Sequence, residues 1–299
     1  MADSLGTPRV DFWVEINEWA QALAKEITGL SIDQASPSRL LFSKEGKPVF
    51  LLELRAIPPS TTGPESSLDQ LPAAEIRHII LWEDQWCTKR RIVEHRLKAL
   101  LGISERIPAR LTQVQRIDRP TTTAFLQENH LQDPVLSKLK YGLYLPQRYF
   151  RVIKNQALLP PEGVSELLVA VATFAHPRVF QKDTGPHRSY EFVRFANLAA
   201  TTVVGGLDKL LKHFIRENQP DDIMTYADLE WSDGHSYLKL GFEELGDTDP
   251  LDYWVDTQSM QRYPTHRLPE GISENDAPEH GYVKIHNAGS RKFVKTIQK

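Results

Sequence analysis

Apolar residues recur along the chain at spacings that mark out its elements. Residues 11–28 set Phe12, Ile16, Trp19, Leu23 and Ile27 three or four apart, which predicts an amphipathic helix stopped by Gly29. RLLFSKEG and KPVFLLELRAI then read as two strands meeting at a turn through Glu45 and Gly46. A Pro-, Ser- and Thr-rich stretch over 58–72 predicts a surface loop. It is followed by a strand in IRHIILWED and a helix from about Gln85 to Leu101, ended by Gly102. Together these elements predict a small α/β module over residues 1–105.

A second series starts near Arg106. ARLTQVQRID predicts a strand, and PTTTAFLQENHL a short helix with a threonine cap. KYGLYLP and ELLVAVATFAH predict antiparallel strands, and SYEFVRFANL another strand. LDKLLKHFIREN places Leu207, Leu210, Leu211, Phe214 and Ile215 on one helical face. DIMTYAD then predicts a strand, HSYLKLG a short helix, and FEELGDT and DYWVD two closing strands. The order β-α-β-β-β-α-β-α-β-β predicts an α/β (or α+β) domain over 106–268, a mixed sheet flanked by helices. Residues 269–299, rich in Gly, Asn and Lys, read as a basic C-terminal extension.

Composition narrows the class. The 299 residues are 40% hydrophobic and 25% charged, as in a globular chain with a real core. MADSLGTPRVDFW has neither a basic start nor an apolar stretch, and the longest apolar run, Leu167–Ala175, is too short to span a bilayer. A cytoplasmic protein without a membrane partner is therefore expected. The single cysteine, Cys87, excludes an internal disulfide framework and a Cys-rich zinc site. The ten histidines lack metal-ligand spacing, so no metal site is expected. Charge is uneven: Lys89–Arg119 carries a net +6, and residues 217–256 a net −11. This polarity fits nucleic-acid binding at the basic faces, or solvated surface with complementary ends. Lys89, Arg90, Arg91 and Arg96, on one predicted helix, are the candidate DNA or RNA contacts.

Chemistry concentrates in YADLEWSDGHSYLKLGFEELG, residues 226–246. Asp228 closes a strand, Trp231 and Gly234 lie in a polar loop, and Tyr237 begins a helix. An Asp there can accept a proton from an amine, and a Tyr can return one to a leaving group. Capping of the turn by Asp228 and packing of Tyr237 on the sheet are the structural alternatives. Trp231 reads either as a base-stacking platform or as a loop anchor. Glu191 and Arg194, three apart on a strand, are expected on opposite faces.

The strand order, the Gly205-Gly206 pair before the main helix, and Tyr-x-x-x-Gly-Phe from Tyr237 resemble the GNAT acetyltransferase fold. That resemblance implies acetyl-CoA or another acyl donor, its pyrophosphate held by backbone N–H groups of Val204, Gly205, Gly206 and Leu207. It also implies that SYEFVRFA and DIMTYAD run parallel and splay apart. The chain departs from the family pattern at Thr202, where Gln or Arg is usual, and at Leu207, where a second small residue is usual.

More narrowly, residues 106–295 look similar to Mom-type DNA-modification proteins of bacteriophage. They are also similar to a GNAT-like C-terminal domain of phage homing-endonuclease-type proteins. This implies catalytic roles for Asp228 and Tyr237, with Glu191 and Arg194 beside them, and DNA as the partner. ILWEDQW followed by TKRRIVEHRLKALLG is similar to the end of very-short-patch-repair-like PD-(D/E)XK nuclease domains. Glu53 matches the second metal-binding acid of that pattern, but Arg39–Ser43 offers no Asp for the first. The segment 58–71 lacks the family's histidine. The first module therefore reads as a degenerate nuclease. Three functions follow: a GNAT-like transferase acting on a nucleobase or another amine, a non-catalytic nucleic-acid-binding or assembly protein, and a Mg²⁺-dependent endonuclease.

Overall fold

A computed structural model describes residues 11–58, 76–183 and 185–298. The loop expected at 58–72 lies outside the described residues except for Pro58. Helix α1 (Phe12–Glu26) precedes strands β1 (Leu30–Ser36), β2 (Arg39–Lys44), β3 (Lys47–Arg55) and β4 (Arg77–Trp82). Helix α2 (Glu83–Leu100) leads to β5 (Glu105–Pro108), β6 (Gln113–Arg116), α3 (Arg119–Asn129), β7 (Leu139–Pro146) and β8 (Glu166–Phe174). Next come β9 (Arg178–Lys182), β10 (Gly185–Asn197), β11 (Thr201–Val204), α4 (Gly206–Asn218), β12 (Asp222–Asp228) and α5 (His235–Lys239). The chain closes with β13 (Glu243–Asp247), β14 (Asp252–Asp256), β15 (Arg262–Pro264), β16 (Tyr282–His286) and β17 (Ser290–Thr296).

These elements form two compact units, each a mixed α/β assembly. The first takes the described residues up to Thr88 together with Leu251–Asn287; the second takes Lys89–Pro250 with the described residues from Ala288 on. The boundaries differ from the sequence expectation of 105 and 268. The first falls inside α2, where Lys89 leaves helical geometry at φ −135° and ψ 29°. The second differs because residues 251–287 interrupt the β13–β17 hairpin and contribute to the first unit. Apolar spacing cannot reveal that a strand pairs outside its sequence neighbourhood.

In the first unit, β1, β2 and β3 pair antiparallel and β4 joins β3 in parallel. Helix α1 buries Phe12, Ile16, Ala20 and Leu23, the face its spacing predicts, and Asp11 caps it by accepting from the Trp13 amide. The inserted segment makes a three-stranded sheet in the order β15-β14-β16. A buried bidentate pair joins the two chain segments: Arg262 donates to both Asp84 oxygens at 2.7 Å. The same guanidinium lies 5.9 Å from the Trp82 ring and 5.4 Å from that of Tyr253.

The second unit is built on a sheet in the order β13-β17-β12-β10-β8-β7-β6, with β9 alongside β10. Here β17 lies between β12 and β13, antiparallel to both, so the expected extension supplies an interior strand anchored by the fully buried Phe293. A separate parallel pair joins β11 to β5. Helix α4 covers one face of the main sheet, with Phe214 stacked on Phe174 at 3.8 Å. On the other face α3 packs Phe125 and Leu126 against Val171 and Ala196.

Candidate functional site

The strands β10 and β12 run parallel only over Ser189–Glu191 and Asp222–Met224. Beyond that point β10 continues against β8 while β12 continues against β17, so the two part. A side chain bridges the start of the gap: Thr225 Oγ1 donates to the Phe192 carbonyl at 2.9 Å. A bulge in β10 falls at the same place. Phe192 stands opposite Phe174 and Arg194 opposite Thr173, leaving Val193 as the extra residue. That extra residue shifts the alternation by one, so Glu191 and Arg194 share the α3 face. This corrects the expectation of opposite faces, which holds only for an unbroken strand.

Tyr237 reaches the gap from α5. The turn before it needs glycine: Gly234 has φ +75°, and a Cβ there would sit 2.1 Å from Cζ of Phe293. The half-buried Tyr237 ring packs on Phe192, Phe242 and Phe293 at 6.3, 5.6 and 5.4 Å. Thr225, beside it, gives its own hydroxyl proton to the Phe192 carbonyl. Burial raises the phenol's pKa above its ordinary value, against the pull of the Thr225 hydroxyl and of the Arg96 and Arg194 charges. Tyr237 is therefore protonated through the neutral range.

Asp228 is engaged by its own turn. Its Oδ1 accepts from the Glu230 amide at 3.0 Å and its Oδ2 from Gln132 Nε2 at 3.1 Å. Its carbonyl accepts from the Trp231 and Ser232 amides. Trp231 is 3% exposed, and the Arg96 guanidinium lies 5.1 Å from its ring centroid. That corrects the stacking-platform alternative: a buried indole anchors the loop. Lys89 donates to the Leu131 carbonyl and to Asp133, both at 2.6 Å. Arg90 and Arg91 are the exposed members of the basic set, with Arg90 paired to Glu94 at 3.0 Å.

Two residues near the gap escape sequence reasoning, Thr225 and His130. Burial, followed by the charges of Arg194 and Arg96, pushes the His130 imidazole down to about 3. Neither residue belongs to a spaced motif; only the parting of β10 from β12 and the end of α3 bring them here. An open cleft of about 360 Å³ adjoins, lined by Ile92, His95, Arg96, Asn129, Trp231 and the segment 195–202.

Helix α4 opens at Gly205, in left-handed geometry at φ +78°, and no side chain caps its first amides. Val204 and Gly205 are exposed, Gly206 is packed against Val203 and Leu143, and Leu207 is half-buried against the core. Thr202 is tied to Ser104 at 2.7 Å. Arg106 stands opposite Thr202 in the β5–β11 pair, and Arg110 follows Ala109, whose Cβ is 3.7 Å from where a Gly205 Cβ would lie. Both arginines are exposed. A helix start without a side-chain cap, beside two exposed arginines, suits a phosphate group.

In the first unit Glu53 has no acidic companion among the described residues. Its carboxylate meets Arg55 at 2.9 Å, His78 at 3.1 Å and Arg39 at 3.3 Å. The His78 hydrogen bond, with help from Arg55, lowers its pKa to about 2 despite burial. Among the described residues no group of three or more His, Cys, Asp or Glu is placed to hold a metal ion.

No family model matches this chain, and no curated protein does. Solved structures do. A Bacillus subtilis acetyltransferase in complex with CoA is 14% identical with a TM-score of 0.35, covering 62% of this chain and 99% of its own. Arabidopsis thaliana NAA60 in complex with a bisubstrate analogue is 9% identical with a TM-score of 0.38, over 62% and 99%. A structure described as histone acetyltransferase HPA2 and related acetyltransferase, from Corynebacterium glutamicum, is 13% identical with a TM-score of 0.33, over 63% and 97%. At these scores the likeness carries no information about chemistry. No helix among the described residues is long and apolar enough to cross a membrane. The chain is a mixed α/β protein, with sheets flanked by helices, and acetyltransferases are among its solved neighbours.

Proposed function

We propose that the second unit is a GNAT-like acyltransferase that moves an acyl group from a coenzyme A thioester to an amine. The observation that carries this reading is Tyr237, a phenol kept protonated by burial and set on Phe192, Phe242 and Phe293 where β10 and β12 part. Acyl-coenzyme A supplies an activated acyl carbon and a thiolate leaving group. The amides of Gly206 and Leu207 hold its pyrophosphate, with Arg106 and Arg110 alongside. Tyr237 gives its proton to the departing sulfur as the carbon–sulfur bond breaks and the carbon–nitrogen bond forms; the proton lost by the acceptor nitrogen passes to solvent water, and solvent reprotonates the phenolate. Asp228 holds the turn that presents α5.

The acceptor follows from the sequence resemblance to Mom-type proteins: an exocyclic amine of a nucleobase in DNA. Arg90 and Arg91, basic and exposed, support a polyanion near the site. The test pairs two measurements. Purified protein is incubated with acetyl-CoA and DNA while free thiol is followed, and nucleosides from cells expressing the protein are examined by mass spectrometry. An acyl adduct on a base, with matching thiol release, is expected. Absence of both favours the second reading, a non-catalytic nucleic-acid-binding or assembly protein. The observation on that side is Leu207, a large residue half-buried at the first turn of α4 where the family pattern is small.

A further inference from the structure

Strand β9 differs from its neighbours in that all five of its residues are exposed. It pairs with the first five residues of β10, Gly185–Ser189, to make a two-stranded arm. Val179 and Phe180 are 61% and 49% exposed, and Phe180 is the one exposed phenylalanine among the described residues. Alternation along the strand puts Arg178, Phe180 and Lys182 on one face, an aromatic ring between two cations. Opposite them stand Ser189, His187 and Gly185. The acid at this face, Asp222, accepts from Ser189 and meets His187 Nε2 at 2.5 Å. Arg178 and Lys182 make no ion pair among the described residues. Over residues 178–189 the remaining charges are Arg188, bonded to the Gln219 carbonyl, and Asp183 at the turn.

We propose that this arm is a contact surface for single-stranded nucleic acid, with a base stacked on Phe180 and flanking phosphates on Arg178 and Lys182. A flat exposed ring is suited to the face of any base, and cations two residues to either side follow the backbone. An acidic peptide would match the cations but leave the ring without a stacking partner. The proposal does not depend on the transferase reading, because it concerns binding alone.

The test measures fluorescence anisotropy of a labelled oligodeoxythymidine titrated with the full chain across a series of salt concentrations. Wild-type protein is expected to bind at low salt. Phe180→Ala should weaken binding about tenfold and leave the salt slope unchanged, while Phe180→Tyr keeps wild-type affinity. Arg178→Ala with Lys182→Ala should lower the slope of log affinity against log salt by about 1.4, two phosphate contacts on a single strand. All three side chains are exposed, so melting temperatures should not move. Failure of the wild type to bind at low salt overturns the proposal. Binding by the alanine variants indistinguishable from wild type also overturns it. Displacement of the oligomer by polyglutamate as readily as by unlabelled oligomer would assign the arm to acidic peptides instead.

Discussion

Glu53 in the first unit and Tyr237 in the second are both ionisable side chains held by hydrogen bonds, and they are held for opposite ends. Glu53 has His78, Arg55 and Arg39 within 3.3 Å, and the His78 hydrogen bond, with Arg55, keeps it ionised down to strongly acid pH. Tyr237 has only the neutral Thr225 hydroxyl beside it, and burial keeps it protonated. A carboxylate enclosed by cations has its charge neutralised and its oxygens occupied. A phenol resting on one hydroxyl still has a proton to give. On the proposed function, this contrast makes Glu53 part of the architecture and Tyr237 the group with a proton to give, although the sequence offers both as candidates.

The sharpest test of that contrast is Tyr237→Phe. Removing a positioned acid typically slows a reaction by about 10² to 10⁴-fold. The ring contacts with Phe192, Phe242 and Phe293 survive, and Thr225 keeps its bond to the Phe192 carbonyl. The stability cost should therefore be small, about 1 kcal/mol or less. Thiol release should collapse while the melting temperature moves by a few degrees. The wild-type rate should also hold through neutrality and fall only as pH climbs past a phenol pKa raised above the ordinary tyrosine value. Undiminished turnover in the variant would place Tyr237 with Glu53, as structure.

Glu53 supplies the next largest effect, and it should appear in stability alone. Its folded pKa is about 2, below the ordinary 4.5. A depressed carboxylate stabilises the fold fully above its unfolded pKa, and the stabilisation is lost as pH falls from about 4.5 to about 2. The shift corresponds to at most about 3 kcal/mol. Glu53→Gln should remove that acid-sensitive portion and destabilise the first unit at pH 6. Five of the six tryptophans belong to this unit, so denaturant unfolding followed by tryptophan fluorescence reports on it directly. A denaturation midpoint in Glu53→Gln equal to wild type would show that Arg39, Arg55 and His78 do not need the charge.

How much of this was legible in the sequence depends on whether the evidence for an element is local. Helix α4 announces itself through Leu207, Leu210, Leu211, Phe214 and Ile215, and the Glu45-Gly46 turn marks the β2–β3 hairpin. Tyr237 is placed at a helix start by its own loop. Strand β1 is harder, because Leu30 is its only buried residue and no alternation results. Strand β9 shows no core-facing residue at all. The insertion of β17 between β12 and β13 depends on pairing across 62 to 74 positions, which no window of sequence contains. The bulge at Val193 likewise exists only relative to β8, yet it decides which face Arg194 takes. Thr225 could be read as a strand residue, but its bond to Phe192 and its place beside Tyr237 required the fold.

The smallest expected effect concerns Asp228, where the contrast between spent and available groups is closest to failing. The sequence offers it as an acid–base group, and the structure occupies both of its oxygens, with the Glu230 amide and Gln132 Nε2. In Asp228→Asn the remaining oxygen can keep the Glu230 amide. The new NH₂ meets Gln132, whose amide can turn to present its own oxygen. The turn should thus survive at a cost of about 1 kcal/mol, the scale of one weakened cap. Activity should stay within about tenfold of wild type if Asp228 serves the turn, because α5 and Tyr237 remain in place. A loss of a hundredfold or more at an unchanged melting temperature would mean that the carboxylate touches the acceptor amine. In that case engagement by neutral donors, unlike the ion pairs around Glu53, leaves a carboxylate free enough to work.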